Sequence, residues 1–120
     1  MKVLVVRPME MPAVQEIDHT LSAMQELVGG TIQAVYPFDD PVALVCNDEG
    51  KLLGLPWNRA LTDDHGVPYD IVCGTFFVAG LKEDDFASLT EQQIEKYKDK
   101  YNNEMILSVP KQPEAHKKPM

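Results

Sequence analysis

Cations are scarce where binding a polyanion would need them. Between Glu10 and Glu95 the chain has only Lys51, Arg59 and Lys82 against sixteen Asp and Glu, a net of minus thirteen there and of minus eight over all 120 residues. Affinity for nucleic acid comes mostly from Lys and Arg displacing counterions, so direct nucleic-acid binding is not expected of so negative a body. Cysteine is equally sparse. Cys46 and Cys73 lie inside apolar runs, where a thiol behaves as a small hydrophobe, and there is no disulfide-rich spacing. A reducing, cytoplasmic compartment fits that usage. The N-terminal apolar run, Val3 to Val6, is four residues long and flanked by Lys2 and Arg7. It is too short for a signal-peptide core or a membrane span, so neither export nor a membrane partner is expected.

Chemical signatures are missing as well. There is no Gly-x-Ser-x-Gly elbow and no Gly-x-Gly-x-x-Gly loop, and both cysteines read as strand interior. Nucleophilic catalysis finds no support in this pattern, and the chain is read as a non-enzyme with no catalytic residue and no cofactor. His19, His65 and His116 have no spacing that couples them. Asp63-Asp64-His65-Gly66 therefore reads as a solvated turn and not as a metal site.

What is present is an ordinary globular balance, 44% hydrophobic and 25% charged, in a chain long enough to bury roughly two thirds of its unfolded surface around one core. Residues 1–107 are expected to form a single acidic domain and 108–120 a mobile basic tail of Pro and Lys. Val3 to Val6 does not alternate and reads as a strand buried on both faces. Met9 to Asp18, of mixed polarity, reads as a turn or a short edge strand around Ala13 to Ile17. Leu21, Met24, Leu27 and Val28 then mark an amphipathic helix closed by Gly29-Gly30. Thr31 to Tyr36 and Val42 to Cys46 read as strands. Asn47 to Gly50 is expected to be a hairpin turn that returns the chain through Lys51 to Gly54. Asp70 to Gly80 is the strongest strand signal, with Gly74 as a bulge or bend, and it is taken as the central strand. Leu81 to Phe86 reads as an acidic loop or helical turn. Ser88 with Glu91 and Thr90 with Gln93 offer overlapping capping boxes before a last helix whose Ile94, Tyr97 and Tyr101 share a face. The fold class that follows is α+β: a mostly antiparallel sheet of four to six strands with two helices packed on one face.

The segment Gly54 to Leu61 concentrates the only Trp and the only Arg beyond Arg7. Read functionally, Arg59 offers a planar fork to a carboxylate or phosphate, Asn58 an amide and Trp57 a stacking face, with the Gly74-Thr75 backbone completing a site for an anionic small ligand. Read structurally, Arg59 pairs with Asp63, Asp64 or Asp70 and the apolar residues cover the sheet. The pairs Asp39-Asp40 and Asp84-Asp85 are the candidate acidic contact surface for a protein partner.

The stretches Glu16-Ile17-Asp18, Leu27-Val28-Gly29-Gly30-Thr31-Ile32-Gln33-Ala34-Val35, Asn47-Asp48-Glu49-Gly50-Lys51-Leu52, Gly54-Leu55-Pro56-Trp57-Asn58-Arg59-Ala60 and Ile71-Val72-Cys73-Gly74-Thr75-Phe76-Phe77-Val78 resemble an uncharacterised family. It is catalogued as a domain of unknown function, found in short proteins of phages, plasmids and conjugative elements of Gram-positive bacteria. The resemblance covers roughly residues 2 to 82 and is most specific over Gly-Leu-Pro-x-Asn-Arg-Ala. It implies a mobile-element accessory protein and transfers no catalytic residue. Two functions are expected from this. One is binding of a host protein, to inhibit a defence or nucleic-acid-handling system by presenting acid to its basic surface. The other is binding of a nucleotide signal. Open strand edges and the Tyr97 and Tyr101 face make a homodimer the default for self-association.

Overall fold

The computed structural model describes residues 1–107. Its elements run β1 (Lys2–Val6), β2 (Ala13–Glu16), α1 (Leu21–Val28), β3 (Ile32–Val35), β4 (Val42–Asn47), β5 (Trp57–Thr62), β6 (Pro68–Cys73), β7 (Phe76–Lys82), β8 (Asp85–Ala87) and α2 (Glu91–Asn103). The expected tail, 108–120, lies outside the described residues. Six strands form one antiparallel sheet in the order β2-β1-β7-β4-β3, with β8 also on β7, while β5 and β6 pair as a separate two-stranded ribbon. The chain is an α+β protein.

Strand β7 is central because β1 and β4 flank it, Val78 standing opposite Leu4 on one side and Leu44 on the other. All three strands are continuous apolar runs, and side chains alternate between faces, so each strand buries one set of residues on each side of the sheet. On one side Met24 and Val28 of α1 pack among Val3, Val5, Ala43, Val45, Phe77 and Ala79. On the other, Ile94, Tyr97 and Tyr101 of α2 join Leu4, Val6, Leu44, Phe76 and Val78, with Leu61 and Val72 from the ribbon. The helices thus lie on opposite faces, which corrects the expectation of a shared one. A sheet whose central strands are apolar on both sides needs a cover for each. Burying side chains of this size stabilises by roughly 1.5–3 kcal/mol apiece, so neither layer is dispensable. Tyr97 and Tyr101, both 1% exposed, are core and cannot form a dimer face.

Local signals set the helix ends. Thr20 Oγ1 accepts from the Ala23 amide, and Gly29 closes α1 at φ +80°. Of the two overlapping capping boxes, the chain uses Thr90 with Gln93, bonded reciprocally at 3.1 and 2.9 Å. Ser88 instead accepts the Lys2 amide and ties the approach to α2 onto β1.

Three expectations fail for identifiable reasons. Asp70 to Gly80 is two strands: at Gly74, φ +87°, the chain leaves the ribbon and enters the main sheet. Lys51 to Gly54 is no return strand. Leu53 bonds back to Glu49 and Gly54 to Lys51 in successive turns, and β4 takes β3 and β7 as its neighbours. Leu81 to Phe86 is a hairpin, with Glu83 and Asp84 at φ +53° and +64° in a tight turn between β7 and β8. Positive φ at both central residues matches the twist of the flanking strands.

Candidate functional site

The segment expected to be a ligand loop is strand β5, and its polar residues face inward. Asn58 and Arg59 are both fully buried. Asn58 Nδ2 donates to the carbonyls of Val6 and Gly74 at 2.8 Å each, and its Oδ1 accepts from Arg59 Nη1 at 2.8 Å. Arg59 Nε donates to the Tyr101 carbonyl and Nη2 to the Glu10 carbonyl, again at 2.8 Å. None of these partners is a carboxylate, so Arg59 neither opens to an anion nor pairs with Asp63, Asp64 or Asp70.

Burial pushes the Arg59 pKa down, and the Glu104 carboxylate nearby works the other way. The cation is held instead by carbonyl dipoles, including one from the last turn of α2, where a helix leaves its acceptors unpaired and favours positive charge. The two residues tie together the end of β1, the turn before β2, the ribbon and the end of α2. Gly74 is equally committed. Its amide donates to Pro56, and an added Cβ would lie 2.7 Å from Leu55 Cδ1. Asn58, Arg59 and Gly74 are therefore structural, Thr75 beside them is half-buried, and only Trp57 of the expected ligand-binding residues reaches an open groove.

The acidic pairs divide similarly. Asp40 accepts from Lys96 Nζ at 2.7 Å and from the Tyr97 hydroxyl at 2.6 Å, and these two bonds hold its pKa below the usual carboxylate value. Burial and the Asp40 carboxylate together raise Tyr97, keeping its hydroxyl a donor. Asp85 accepts from His19 at 3.3 Å and from the Phe86 amide. Asp39 and Asp84 stay exposed. Register places the turns carrying them at the same end of the sheet, since Val42 pairs with Gly80 and Leu81 bonds to Pro41. Asp63 accepts the His65 and Val67 amides and so shapes the turn it was read as.

The ribbon also borders a groove that joins Trp57 to Tyr69, a residue the sequence did not single out. Trp57, Pro68, Tyr69, Asp70, Ile71, Cys73 and Lys51 line an open groove of about 450 Å³. A second cleft of about 190 Å³ adjoins it, sharing Lys51, Asp70, Ile71 and Cys73 and adding Leu52, Cys46 and Gln33. Lys51 and Asp70 form an ion pair at the join, which raises the lysine pKa and lowers that of the aspartate. Tyr69 is 60% exposed and Leu52 87%. Cys46 and Cys73 are buried at the cleft, and desolvation raises both thiols, which disfavours the reactive thiolate. A signal for Tyr69 and Asp70 was available in the polar, exposed first half of β6. Reading Asp70 to Gly80 as one buried strand concealed it.

Residues 1–102 match a family model described as Domain of unknown function (DUF3846). The chain belongs to this family. No curated protein and no solved structure matches this DUF3846 chain. The match covers every element of the main sheet and the ribbon and nearly all of α2, so the buried Asn58-Arg59 tie lies wholly within the DUF3846 domain. Among the described residues no helix is long and apolar enough to cross a membrane.

Proposed function

We propose that this DUF3846 protein is a non-enzymatic accessory protein of a mobile element, of the phage, plasmid and conjugative-element setting in Gram-positive bacteria, and that it binds a basic host protein in the cytoplasm. Inhibition of a host defence or nucleic-acid-handling system is the consequence of occupying that protein's basic surface. The observation that carries the reading is the border of the ribbon, where Trp57 and Tyr69 line one groove, Leu52 lines the adjoining cleft, and Lys51 and Asp70 line both. Single exposed apolar residues are unremarkable on a surface, whereas several around one groove mark an interaction face. Asp48 and Glu49, exposed acids, line the adjoining cleft. An apolar centre with an acidic rim steers a cationic partner into contact and then gains from desolvated aromatic area. Asp39 and Asp84 add to the same field from the end of the sheet.

The immobilised protein incubated with host lysate tests this reading. Capture of a basic protein that salt elutes, lost in Tyr69→Asp and Leu52→Asp but weakened only slightly in Asp39→Lys with Asp84→Lys, is the expected result. Identical captured proteins for wild type and all variants would remove the ribbon from the function. The alternative, a nucleotide signal held by Gly54 to Leu61, would have to draw Arg59 away from the carbonyls of Tyr101 and Glu10. Absence of any thermal shift with nucleotides would retire it.

A further inference from the structure

We infer that the open edge of β3 takes an extended basic segment of the partner as a further antiparallel strand. The inference rests on the partner-binding reading and names the element that grips the partner. β3 ends the main sheet, with β4 on one side and, among the described residues, no strand on the other. The Asp48 amide bonds to the Thr31 carbonyl, and Gln33 stands opposite Cys46 and Val35 opposite Leu44. Bonded and non-bonded pairs alternate along an antiparallel ladder, so Thr31, Gln33 and Val35 direct their amides and carbonyls at β4. Ile32 and Ala34 direct theirs to the open side. Such a row is a template for another strand, and proteins deter stray pairing with charge or proline on the edge. The opposite edge is guarded in that way: Pro12 precedes β2, and Glu16 on it takes the N-terminal ammonium at 3.3 Å. Thr31 to Phe38 has no charged residue, and β3 itself has no proline.

Charge selects the occupant. Exposed acids bracket the uncharged strand, Asp48 and Glu49 beside its start and Asp39 beyond its end. A second copy pairing antiparallel through β3 would set the Asp48 end of each copy against the Asp39 end of the other, and would join two chains of net charge minus eight. A cationic strand meets acid at both ends instead. Register assigns its two faces. Residues opposite Ile32 and Ala34 share the α1 side, where these two are half-buried against an apolar layer. Residues opposite Gln33 and Val35 lie on the other side, where Gln33 and Val35 line the cleft of about 190 Å³ together with Asp48 and Glu49. An apolar residue alternating with Lys or Arg therefore suits both faces.

The probe is a capped Lys-Val-Lys-Val-Lys-Val-Lys peptide, titrated at low salt into the full chain and followed by amide hydrogen exchange in NMR spectra. Expected are saturable binding, slowed exchange at the amides of Ile32 and Ala34, and affinity that falls with added salt. N-methylation of the valines, whose amides face β3, should cost about tenfold or more, while N-methylation of the lysines, whose amides face away, leaves binding intact. Ala34→Pro removes an outward donor that the ladder with β4 does not use, and should likewise lose about tenfold. Asp48→Lys with Glu49→Lys, both exposed, should lose about fivefold. No saturable binding, equal effects of the two N-methylated peptides, or no protection at Ile32 and Ala34 overturns the docking strand. So does slow exchange at those amides in the free protein, with a dimer in solution, because a second copy then holds the edge. Lysate capture lost in Tyr69→Asp and Leu52→Asp but unchanged in Ala34→Pro would in that case leave the partner-binding reading standing without it.

Discussion

Arg59 Nε and the Tyr101 carbonyl stand 2.8 Å apart, both buried, though forty-two residues separate them in the chain. The carbonyl belongs to the last turn of α2, where helical geometry supplies no partner, and the guanidinium has no carboxylate. Each compensates the other's deficit. Replacing Arg59 with Ala leaves the carbonyls of Tyr101 and Glu10 and the Asn58 amide oxygen without their donor. Unsatisfied buried acceptors cost about 1–3 kcal/mol each, so a loss of about 3–5 kcal/mol is expected. Arg59→Lys should recover only a minor part, because one ammonium cannot span acceptors held on three segments. Urea denaturation followed by circular dichroism measures both. A change below about 1 kcal/mol would mean that the tie is ornamental.

Asn58 and Arg59 act as one unit and their replacements should not add. Asn58→Ala removes two bonds to the carbonyls of Val6 and Gly74 and the acceptor for Arg59 Nη1. A double-mutant cycle is expected to give a coupling of about 1–3 kcal/mol, since contacting residues in one network share their losses. Purely additive effects would show that the two side chains stabilise separate parts of the fold.

Acid should weaken the join between α2 and the turn before β4. Asp40 has a lowered pKa when folded, so its contribution is complete above the ordinary carboxylate value of about 3.9 and is lost as pH falls through the folded value. Asp40→Asn should lower the denaturation midpoint at pH 7, with the difference from wild type closing as the pH drops below about 4. Alkali acts on the other partner. Tyr97 and Tyr101 have raised pKa values when folded, so the stability they supply is present below the ordinary tyrosine value of about 10 and lost above it. Tyr97→Phe should flatten that alkaline decline.

Gly74 is where the chain changes sheets, and it has no room for a side chain. Its φ of +87° is costly for any other residue, and a Cβ would meet Leu55 at 2.7 Å. Gly74→Ala is expected to destabilise by about 1–3 kcal/mol in thermal melts. Adding Leu55→Ala should return part of this by removing the contact while leaving the backbone strain.

Periodicity and turn chemistry made much of the fold legible. Val3 to Val6, Val42 to Cys46 and the Phe76 to Gly80 half of the longest strand signal all read as buried strands, and Thr90 with Gln93 announced the start of α2. Strands apolar on both faces require two covers, so the same runs also imply helices on opposite sides and not on a shared one. The ribbon was illegible for a different reason. Trp57 to Thr62 has no clean alternation, since Asn58 and Arg59 face inward and bulges interrupt the pairing between Trp57 and Arg59 and between Leu61 and Thr62. A charged side chain in a dense motif suggests a ligand. Only the arrangement in space reveals that the acceptors for Arg59 are the Glu10 and Tyr101 carbonyls and the Asn58 side chain.

The ribbon and the main sheet share no ladder among the described residues, so the buried bonds of Asn58 to β1 and of Arg59 to the end of α2 fasten the ribbon in place. Strand detachment and fraying of the α2 terminus therefore become a single event.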